Sequence, residues 1–466
     1  MLASNNMGGS MPTEIGHLHY LQYLSLASNK VESVIPTEIG SLNKLDVLIL
    51  DNNALVGPIP STFGNLEQLS KLSLHYNRLT GSIPREFGNL GKLTLLGLNT
   101  NRLKGVIPSD IGNLQNLEWL KLYNNHLTGS VPTEFVSLNS LETLCLNSNY
   151  LTGSIPRLFA EMESLRCLDL SNNSLSGLIP RELGKFNKLE ELSVSSNPLS
   201  GPLPSELGNI TQLKLLNFFN ASLTGTIPTE LGRLSQLQRL FLYYNQLTGP
   251  IPSQLGNLGH LEELYLYNTS VTGSVPSQLG DLVQLKLLFL YNNSLSGSLP
   301  SQLGNLSNLK LLHMYNTAIS GDIPRELGNL SQLEELYFYN SSLSGSIPSE
   351  LGQLDRLAVL LLYYNHLTGP IPSEFGNLGQ LEWLDLSNNN LTGTIPEEMG
   401  NLSQIEKLYL DSNHLTGSIP SAFDQLNELS HLQLQNNNLV GNVTFLCPMK
   451  HLEVDTLKVN CTCCES

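Results

Sequence analysis

Residues 237–260, LQRLFLYYNQLTGPIPSQLGNLGH, decide the fold because the same pattern recurs along almost the whole chain. The frame is LxxLxLxxNxLxGxIPxxLGNLxx, which has 24 positions. Its opening leucine recurs from Leu21 to Leu429, a span of 408 residues that equals 17 repeats of 24 without insertion or deletion. A fixed period of this length with this leucine spacing predicts a solenoid, in which each repeat packs only against its neighbours.

The first part of the frame has the alternation of a short strand. Leu240 and Leu242 are separated by one residue and face inward, while Phe241 and Tyr243 face outward. Each repeat is therefore predicted to add one strand to a long parallel sheet.

The second part of the frame turns the chain away from this sheet and returns it. Asn245 stands where its side-chain amide can bond open backbone groups of a bend. Gly249 relieves close packing in the bend, and Pro252 fixes a backbone dihedral angle of the return path. The remaining apolar positions fill the interior and are Leu247, Ile251, Leu255 and Leu258. Three short stretches in each repeat leave no room for a long helix.

The frame resembles the leucine-rich repeat family, and its LxGxIPxxLGNL half resembles the plant-type subclass of extracellular receptor ectodomains. The resemblance implies an α/β fold class: a right-handed leucine-rich repeat solenoid with a concave parallel β-sheet, short second strands, and 3₁₀ turns on the convex side. We expect one solenoid domain over residues 1–446, with a partial first repeat (1–20), 17 full repeats (21–428) and a final strand (429–446). Residues 447–466 are expected to form a C-terminal cap that contains cysteines.

The composition limits the classes of partner. With 24 basic and 40 acidic residues the formal net charge is −16, which argues against nucleic acid or an anionic membrane surface as partner. No apolar run reaches the roughly 18 residues that cross a bilayer, and no kinase, phosphate-loop or zinc-ligand pattern is present. We expect a monomer without a cofactor or metal ion.

The first 20 residues, MLASNNMGGSMPTEIGHLHY, enter the frame in the middle of a repeat. A solenoid end without a cap exposes apolar core, and no secretory signal peptide precedes it. We expect that a signal peptide and an N-terminal cap were lost by truncation. The expected location is secreted or at the cell surface, and a membrane-anchored parent chain or a co-receptor is compatible with it.

Aromatic residues dominate the outward positions of the repeats between residues 213 and 381. This is more exposed apolar surface than monomers usually show, and tyrosine with asparagine is typical of recognition surfaces. The competing interpretation is that stacked aromatics stabilise the sheet and were copied by repeat duplication. The predicted ligand-binding residues are Phe219, Phe241, Tyr243, Tyr244, Tyr265, Tyr267, Phe289, Tyr291, His313, Tyr315, Tyr337, Tyr339, Tyr363 and Tyr364.

The same repeats depart from the frame at the asparagine of the bend. That position carries Ala221, Thr269, Thr317 and Ser341, and an asparagine stands one residue earlier. Threonine and serine can still bond the bend whereas alanine cannot, so the asparagine ladder is predicted to be weaker here. We interpret the displaced asparagines as part of the surface, with sequence drift as the alternative.

Sequons for N-glycosylation are frequent, and many arise from the recurring GNLS. Sugars on Asn220, Asn268, Asn292 or Asn340 would crowd the tyrosines, whereas sugars on the convex side would not. The predicted glycosylation candidates are Asn209, Asn305, Asn329, Asn401 and Asn442.

Four cysteines follow the last repeat: Cys447, Cys461, Cys463 and Cys464. They predict a disulfide cap and an oxidising compartment, with three pairings open. A zinc site that includes His451 is the rival interpretation. Cys145 and Cys167 lie on neighbouring strands but are offset by two residues, so we expect them to stay unpaired.

Two classes of function remain open. The first is an extracellular recognition scaffold, similar to receptor ectodomains, that binds a polysaccharide, peptide or protein on the concave tyrosine-rich face. The alternative is a structural or adhesive cell-wall or surface-binding protein, including one that binds ice. We expect no enzyme, because the only candidate group is His313 with Glu263 and Glu335, and these two glutamates stand three strands apart.

Overall fold

The computed structural model describes residues 4–442, 451–454 and 459–460, and the chain divides into two compact units, Met1–Thr224 and Gly225–Ser466. Both units are built from the three-part repeat. The single solenoid domain expected over residues 1–446 stays a prediction. Cys447, Cys461, Cys463 and Cys464 lie outside the described residues, so the disulfide cap and its zinc alternative stay predictions as well.

In the first unit, one parallel sheet contains a strand from every full repeat. Neighbouring strands are in register, so Leu120 pairs with Leu96 on one side and with Leu144 on the other. The middle leucine is buried in every strand except the first, where Leu24 is half-buried, and this agrees with the alternation. The strands are Tyr23–Ser25, Val47–Ile49, Lys71–Ser73, Leu95–Gly97, Trp119–Lys121, Thr143–Cys145, Cys167–Asp169, Glu191–Ser193 and Leu215–Asn217.

Short second strands and 3₁₀ turns complete the first unit. The second strands are Gly8–Gly9, Lys30–Val31, Val56–Pro58, Arg78–Thr80, Lys104–Val106, His126–Ser130, Tyr150–Thr152, Gly177–Leu178 and Leu199–Ser200. The 3₁₀ turns are Thr13–His17, Thr37–Ser41, Ser61–Asn65, Arg85–Asn89, Ser109–Asn113, Thr133–Ser137, Arg157–Glu161, Arg181–Lys185 and Ser205–Asn209. A further strand, Thr224–Thr226, contains the boundary between the units.

The second unit repeats this order. Its long sheet consists of Arg239–Phe241, Glu263–Tyr265, Leu287–Phe289, Leu311–His313, Glu335–Tyr337, Val359–Leu361, Trp383–Asp385, Lys407–Tyr409, His431–Gln433 and His451–Glu453. The second strands are Gln246–Pro250, Ser270–Gly273, Ser294–Gly297, Ala318–Asp322, Ser342–Ser344, Thr368–Gly369, Asn390–Leu391, Thr416–Ser418, Asn438–Asn442 and Val459–Asn460. The 3₁₀ turns are Thr229–Arg233, Ser253–Asn257, Ser277–Asp281, Ser301–Asn305, Arg325–Asn329, Ser349–Gln353, Ser373–Asn377, Glu397–Asn401 and Ser421–Gln425.

Two glycines of each full frame fit the chain at close approaches. Gly249 has a φ of 73°, a left-handed value that glycine adopts without strain. An added Cβ at Gly256 would lie 2.4 Å from the carbonyl oxygen of Gln278 in the next repeat. The role of Gly249 in the bend follows from the sequence. Gly256 is required because its turn packs closely against the turn of the next repeat, and this contact is visible only in the structure.

The recurring asparagine ties each repeat to the one before it. The Nδ2 of Asn125 donates to the carbonyl oxygens of Leu98 and Leu122, both at 3.0 Å. Its Oδ1 accepts a bond from the backbone N–H of Leu103 at 3.0 Å. Leu98 and Leu103 belong to the preceding repeat, so one buried side chain satisfies backbone groups of two repeats.

In the second unit this asparagine ladder is interrupted, as the sequence predicts. The hydroxyl of Thr269 donates to the Leu266 carbonyl of its own repeat at 2.8 Å. Thr317 likewise donates within its repeat, to Met314, at 3.2 Å. The hydroxyls of Thr317 and Ser341 also bond each other, across neighbouring repeats, at 3.1 Å. A bond from this side chain to the backbone of the preceding repeat is found again at Asn365, which donates to the carbonyl of Phe338 at 2.9 Å.

We predict that Asn125→Ala lowers the free energy of unfolding of the first unit by about 2–3 kcal/mol, because buried backbone groups lose their partner. Urea unfolding measures the loss, and hydrogen exchange at the amide of Leu103 localises it. Asn113→Ala, at an exposed turn position, is the control and is expected to change stability by less than about 0.5 kcal/mol. Equal effects of the two substitutions would contradict this role of the ladder.

Candidate ligand-binding face

In the second unit, outward side chains of the long sheet form two aromatic columns. The two columns together with Tyr244 and Tyr364 are called the aromatic face. The exposed fractions of Tyr244 and Tyr364 are 54% and 57%, and the other members are half-buried. The first column contains Phe241, Tyr265, Phe289, His313 and Tyr337, and the second contains Tyr243, Tyr267, Tyr291, Tyr315, Tyr339 and Tyr363.

The rings of each column are stacked on one another. In the first column successive ring centroids are 4.0–4.7 Å apart. In the second column they are 4.2–4.4 Å apart, with interplanar angles of 7–16°. Both flat sides of every internal ring are therefore covered by its neighbours. A ligand approaching from solvent meets ring edges and polar tips.

The hydroxyl groups of the second column are hydrogen-bonded to one another. Tyr291 bonds Tyr267 on one side and Tyr315 on the other, and Tyr339 bonds Tyr315 and Tyr363. Burial is the largest cause that raises the pKa of Tyr291 and of Tyr339 above the usual value of a phenol. Tyr291 and Tyr339 therefore present neutral hydroxyls at physiological pH.

His313 is a stacked ring of the first column. Its ring lies 4.0 Å from that of Tyr337, and its Nε2 lies 3.0 Å from an oxygen of Glu335. Burial lowers the pKa of His313, an effect that Glu335 opposes. Glu335 also bonds the hydroxyl of Tyr337, whereas Glu263 bonds that of Tyr265. The two glutamates thus have separate partners, in agreement with the expectation that they do not act as a pair.

The displaced asparagines form a second, outer ladder. Asn292 donates to Asn268 at 3.0 Å, Asn316 to Asn292 at 2.6 Å, and Asn340 to Asn316 at 2.7 Å. Their φ angles are 48–53°, and the equivalent residue of the other full repeats is left-handed too. Asparagine tolerates this conformation better than most residues do. The interpretation of these asparagines as surface residues was therefore incomplete, because the backbone also favours them.

The predicted glycosylation sites differ in access. Asn209, Asn305, Asn329 and Asn401 each end a 3₁₀ turn and are exposed. Asn268 and Asn292 are half-buried, and their amides belong to the outer ladder. Asn442 ends the strand Asn438–Asn442, but its side chain lies outside the described part. Glycosylation at these positions stays a prediction.

Phe219, the remaining predicted residue, lies in the first unit, two residues beyond the strand Leu215–Asn217, and is half-buried. The outward positions of the first unit are chemically mixed. Cys145 and Cys167 are free thiols whose side chains are hydrogen-bonded to each other. This agrees with the expectation that they form no disulfide. Ser73 bonds a ring nitrogen of His75 at 2.7 Å.

Sequence reasoning missed an acidic end of the aromatic face. The first column continues through Leu361 to Asp385, and Asp411 lies in the next repeat. The exposed fractions of Asp385 and Asp411 are 6% and 8%. Burial raises the pKa of Asp385 to about 6, although the backbone N–H and hydroxyl of Ser387 donate to its carboxylate. The signal was present in the sequence as an aspartate that follows the aromatic run.

The described residues contain neither a candidate membrane-spanning helix nor a group of metal-ligating side chains. None of their helices has the length and apolar character of a membrane span. Within 4–442, 451–454 and 459–460, no three histidine, cysteine or acidic side chains are grouped so that they can hold a metal ion.

Comparison with known proteins identifies the family. A model of the leucine-rich repeat region matches residues 2–105, 84–201 and 252–371. Two further leucine-rich repeat models match 355–415 and 381–439, and 236–258. The chain belongs to the leucine-rich repeat family, and its strands and 3₁₀ turns confirm the predicted fold class. A search of curated proteins finds no match.

Solved structures of plant receptors are similar to this chain. The Arabidopsis receptor kinase HAESA, in complex with the peptide hormone IDA and the co-receptor SERK1, has 34% identity and a TM-score of 0.92, over 97% of this chain and 77% of that chain. The plant peptide hormone receptor RGFR1, in complex with RGF2, has 30% identity and a TM-score of 0.77, over 99% and 89%.

The third structure is the ectodomain of the Arabidopsis thaliana receptor kinase GASSHO1/SCHENGEN3, in complex with CASPARIAN STRIP INTEGRITY FACTOR 2. It has 37% identity and a TM-score of 0.83, over 96% of this chain. The chain spans only 57% of the length of that ectodomain. Together, these similarities support a receptor-like binding scaffold.

We predict that Tyr291→Ser destabilises the sheet by about 1–3 kcal/mol, because it removes two stacked pairs. Tyr363→Ser removes one stacked pair and is expected to cost about half as much. Hydrogen exchange across the strands Leu287–Phe289 and Val359–Leu361 measures both. Tyr291→Phe keeps the ring and is the control. Equal protection in all variants would show that the stacks contribute nothing to stability.

The buried Asp385 predicts a pH-dependent stability. Its pKa is raised from 3.8 to about 6, so the folded chain binds this proton more tightly than the unfolded chain. Ionisation of Asp385 therefore destabilises the folded chain. This loss of stability is absent below pH 3.8, grows as the pH rises, and is complete above pH 6. Asp385→Asn is therefore expected to raise stability by up to about 3 kcal/mol at pH 7.5. Urea unfolding of the wild type and of Asp385→Asn at pH 7.5 and at pH 3.5 tests this. An equal gain in stability at pH 3.5 would contradict the prediction.

Proposed function

We propose that the chain is the ligand-binding part of a secreted or cell-surface receptor-like protein. Its ligand is an extended peptide or protein segment that binds on the aromatic face. The observation that carries this proposal is the pair of stacked columns, which offers a continuous strip of ring edges and hydroxyls across six repeats.

The chemistry of this strip suits an extended peptide. Peptide groups alternate donors and acceptors with apolar side chains, and the columns offer hydroxyls beside carbon edges. The stacked rings are also fixed before a ligand arrives, so binding loses less side-chain entropy than a flexible surface would.

The same geometry counts against a polysaccharide held by face-to-face stacking. Each internal ring already has both flat sides within about 4.4 Å of another ring centroid. At the internal rings of the columns a sugar ring can then meet only edges and hydroxyls, so the face-to-face contact between tyrosine and a sugar is lost there. Among the ligands expected from the sequence, the peptide or protein segment therefore has the better support.

The similar structures support the same class of function. HAESA and RGFR1 are described as receptors in complex with a peptide hormone and with RGF2, respectively. GASSHO1/SCHENGEN3 is described as a plant membrane receptor kinase, and the similarity is to its ectodomain, which favours an extracellular location for this chain. A signal peptide, a membrane anchor and a co-receptor belong to the proposal.

The test is a peptide and glycan array probed with the wild-type protein and two variants. One variant changes Tyr267, Tyr291, Tyr315 and Tyr339 to phenylalanine, which keeps the stacks and removes four hydroxyls. The control variant changes Tyr23, Tyr76, Tyr123 and Tyr150 of the first unit in the same way. We expect wild-type binding to a set of peptides, at least tenfold weaker binding by the first variant, and unchanged binding by the control.

Three outcomes would overturn the proposal. Peptide binding that survives in the first variant would place the site elsewhere. Binding to glycans alone would replace the ligand class. No binding to either class, with equal melting temperatures of all three proteins, would favour the structural or adhesive alternative.

A further inference from the structure

We propose that the ligand of the aromatic face carries a cationic group at one end, an α-ammonium or a lysine or arginine side chain, which lies over Asp385 and Asp411. This inference rests on the proposed function and adds to it the charge and the placement of the ligand.

The acidic end is continuous with the aromatic columns. In the first column Tyr337 pairs with Leu361, Leu361 with Asp385, and Asp385 with Tyr409. A ligand that follows this column beyond Tyr337 therefore crosses one apolar residue and then reaches a carboxylate.

The two carboxylates are poorly compensated. Asp385 accepts bonds from Ser387 at 3.0 and 2.7 Å, and Asp411 accepts one from Ser412 at 3.1 Å. No ion pair with either carboxylate occurs among the described side chains. Because a buried charge needs an opposite charge or several donors, this end of the face favours a cation.

The basic group of the neighbouring strand has its own partner. The ammonium of Lys407 lies 4.5 Å from the centroid of the Trp383 ring. Over the long sheet of the second unit, the outward acidic residues are Glu263, Glu335, Asp385, Asp411 and Glu453, and the outward lysines and arginines are Arg239 and Lys407. The excess of carboxylates is complementary to a positively charged ligand.

A buried acceptor without a partner provides independent support. The side-chain oxygen Oε1 of Gln435 is buried and has no hydrogen-bond partner. Its amide nitrogen donates to Glu453 at 3.0 Å, and Gln435 follows Asp411 in the same outward row, 24 residues later. Buried acceptors are rarely left unbonded. Ammonium and guanidinium groups only donate, so they match both the orphan oxygen and the carboxylates.

The first unit offers a matched control. Asp169 occupies the same outward position of its repeat as Asp385, and its carboxylate accepts bonds from the N–H and hydroxyl of Ser171 at 3.0 and 2.6 Å. Burial raises the pKa of Asp169 as well. Its neighbours in register are Cys145 and Ser193 instead of an aromatic column. Asp169→Asn thus repeats the local change without touching the proposed site.

The array carries random dodecapeptides with either a free or an acetylated N-terminus. The probes are the peptides that the wild-type protein binds on this array. Each selected peptide is remade with an acetylated N-terminus, or with lysine replaced by norleucine and arginine by citrulline. Affinities are measured by fluorescence anisotropy for the wild type, for the double variant Asp385→Asn/Asp411→Asn, and for Asp169→Asn. Circular dichroism and melting curves verify that each variant is folded.

We expect the selected peptides to be enriched in a cationic group at one end. Neutralising that group should weaken binding to the wild type at least tenfold and should not weaken binding to the double variant further, because the two changes remove one interaction. Asp169→Asn should bind as the wild type does. The acetylated and the citrulline or norleucine forms show whether the cation is the N-terminus or a side chain.

The inference is wrong if neutral peptides are selected equally often, or if the double variant keeps its preference for the cation. The phenylalanine variant of the four tyrosines separates this failure from that of the proposed function. Peptide binding that needs the tyrosines and ignores the carboxylates overturns the inference alone. Binding that ignores the tyrosines overturns the proposed function.

Discussion

The structure depends on one constraint, the fixed period of 24 residues between equivalent backbone positions. Each repeat cannot bury its own leucines, so it must stack on a neighbour in register. The asparagine of the bend enforces this stacking, since Asn125 bonds backbone groups of its own and of the preceding repeat. Once the register is fixed, any outward residue that recurs at the period becomes a column. The aromatic face is thus a consequence of the same rule that forms the core.

The columns coincide with the part of the second unit where the inner ladder is interrupted. Thr269 and Thr317 donate to carbonyls of their own repeats, and the bond to the backbone of the preceding repeat is found again at Asn365. Over this interval the stacked rings and the outer ladder from Asn268 to Asn340 connect neighbouring repeats on the outside. In these repeats, contacts between surface side chains replace the asparagine bonds of the interior. The structural and the recognition interpretations of the tyrosines are therefore compatible, because stacking makes the surface rigid.

The repeating part of the molecule could be predicted from the sequence because every feature of it is local. The alternation around Leu240 and the outward position of Tyr243 follow from strand geometry, and the bend at Asn245 follows from the hydrogen bonds that its side chain can make. Features that depend on side-chain packing could not be predicted. The spacing of Tyr267 and Tyr291 indicates neighbours, but does not say that their flat sides meet at 4.4 Å. The burial of Asp385 and the orphan oxygen of Gln435 likewise depend on the side chains around them.

A periodic surface also poses a problem for recognition. Along the second column the rings from Tyr243 to Tyr363 recur at nearly equal spacing, so a ligand shifted by one repeat would meet almost the same contacts. Such a surface can provide affinity, but it cannot by itself fix the position of the ligand. Only residues that break the period can do this. Leu361 and Asp385 end the first column, and a charged group placed there costs far more to shift than a neutral one. The end of the columns is therefore where specificity must arise.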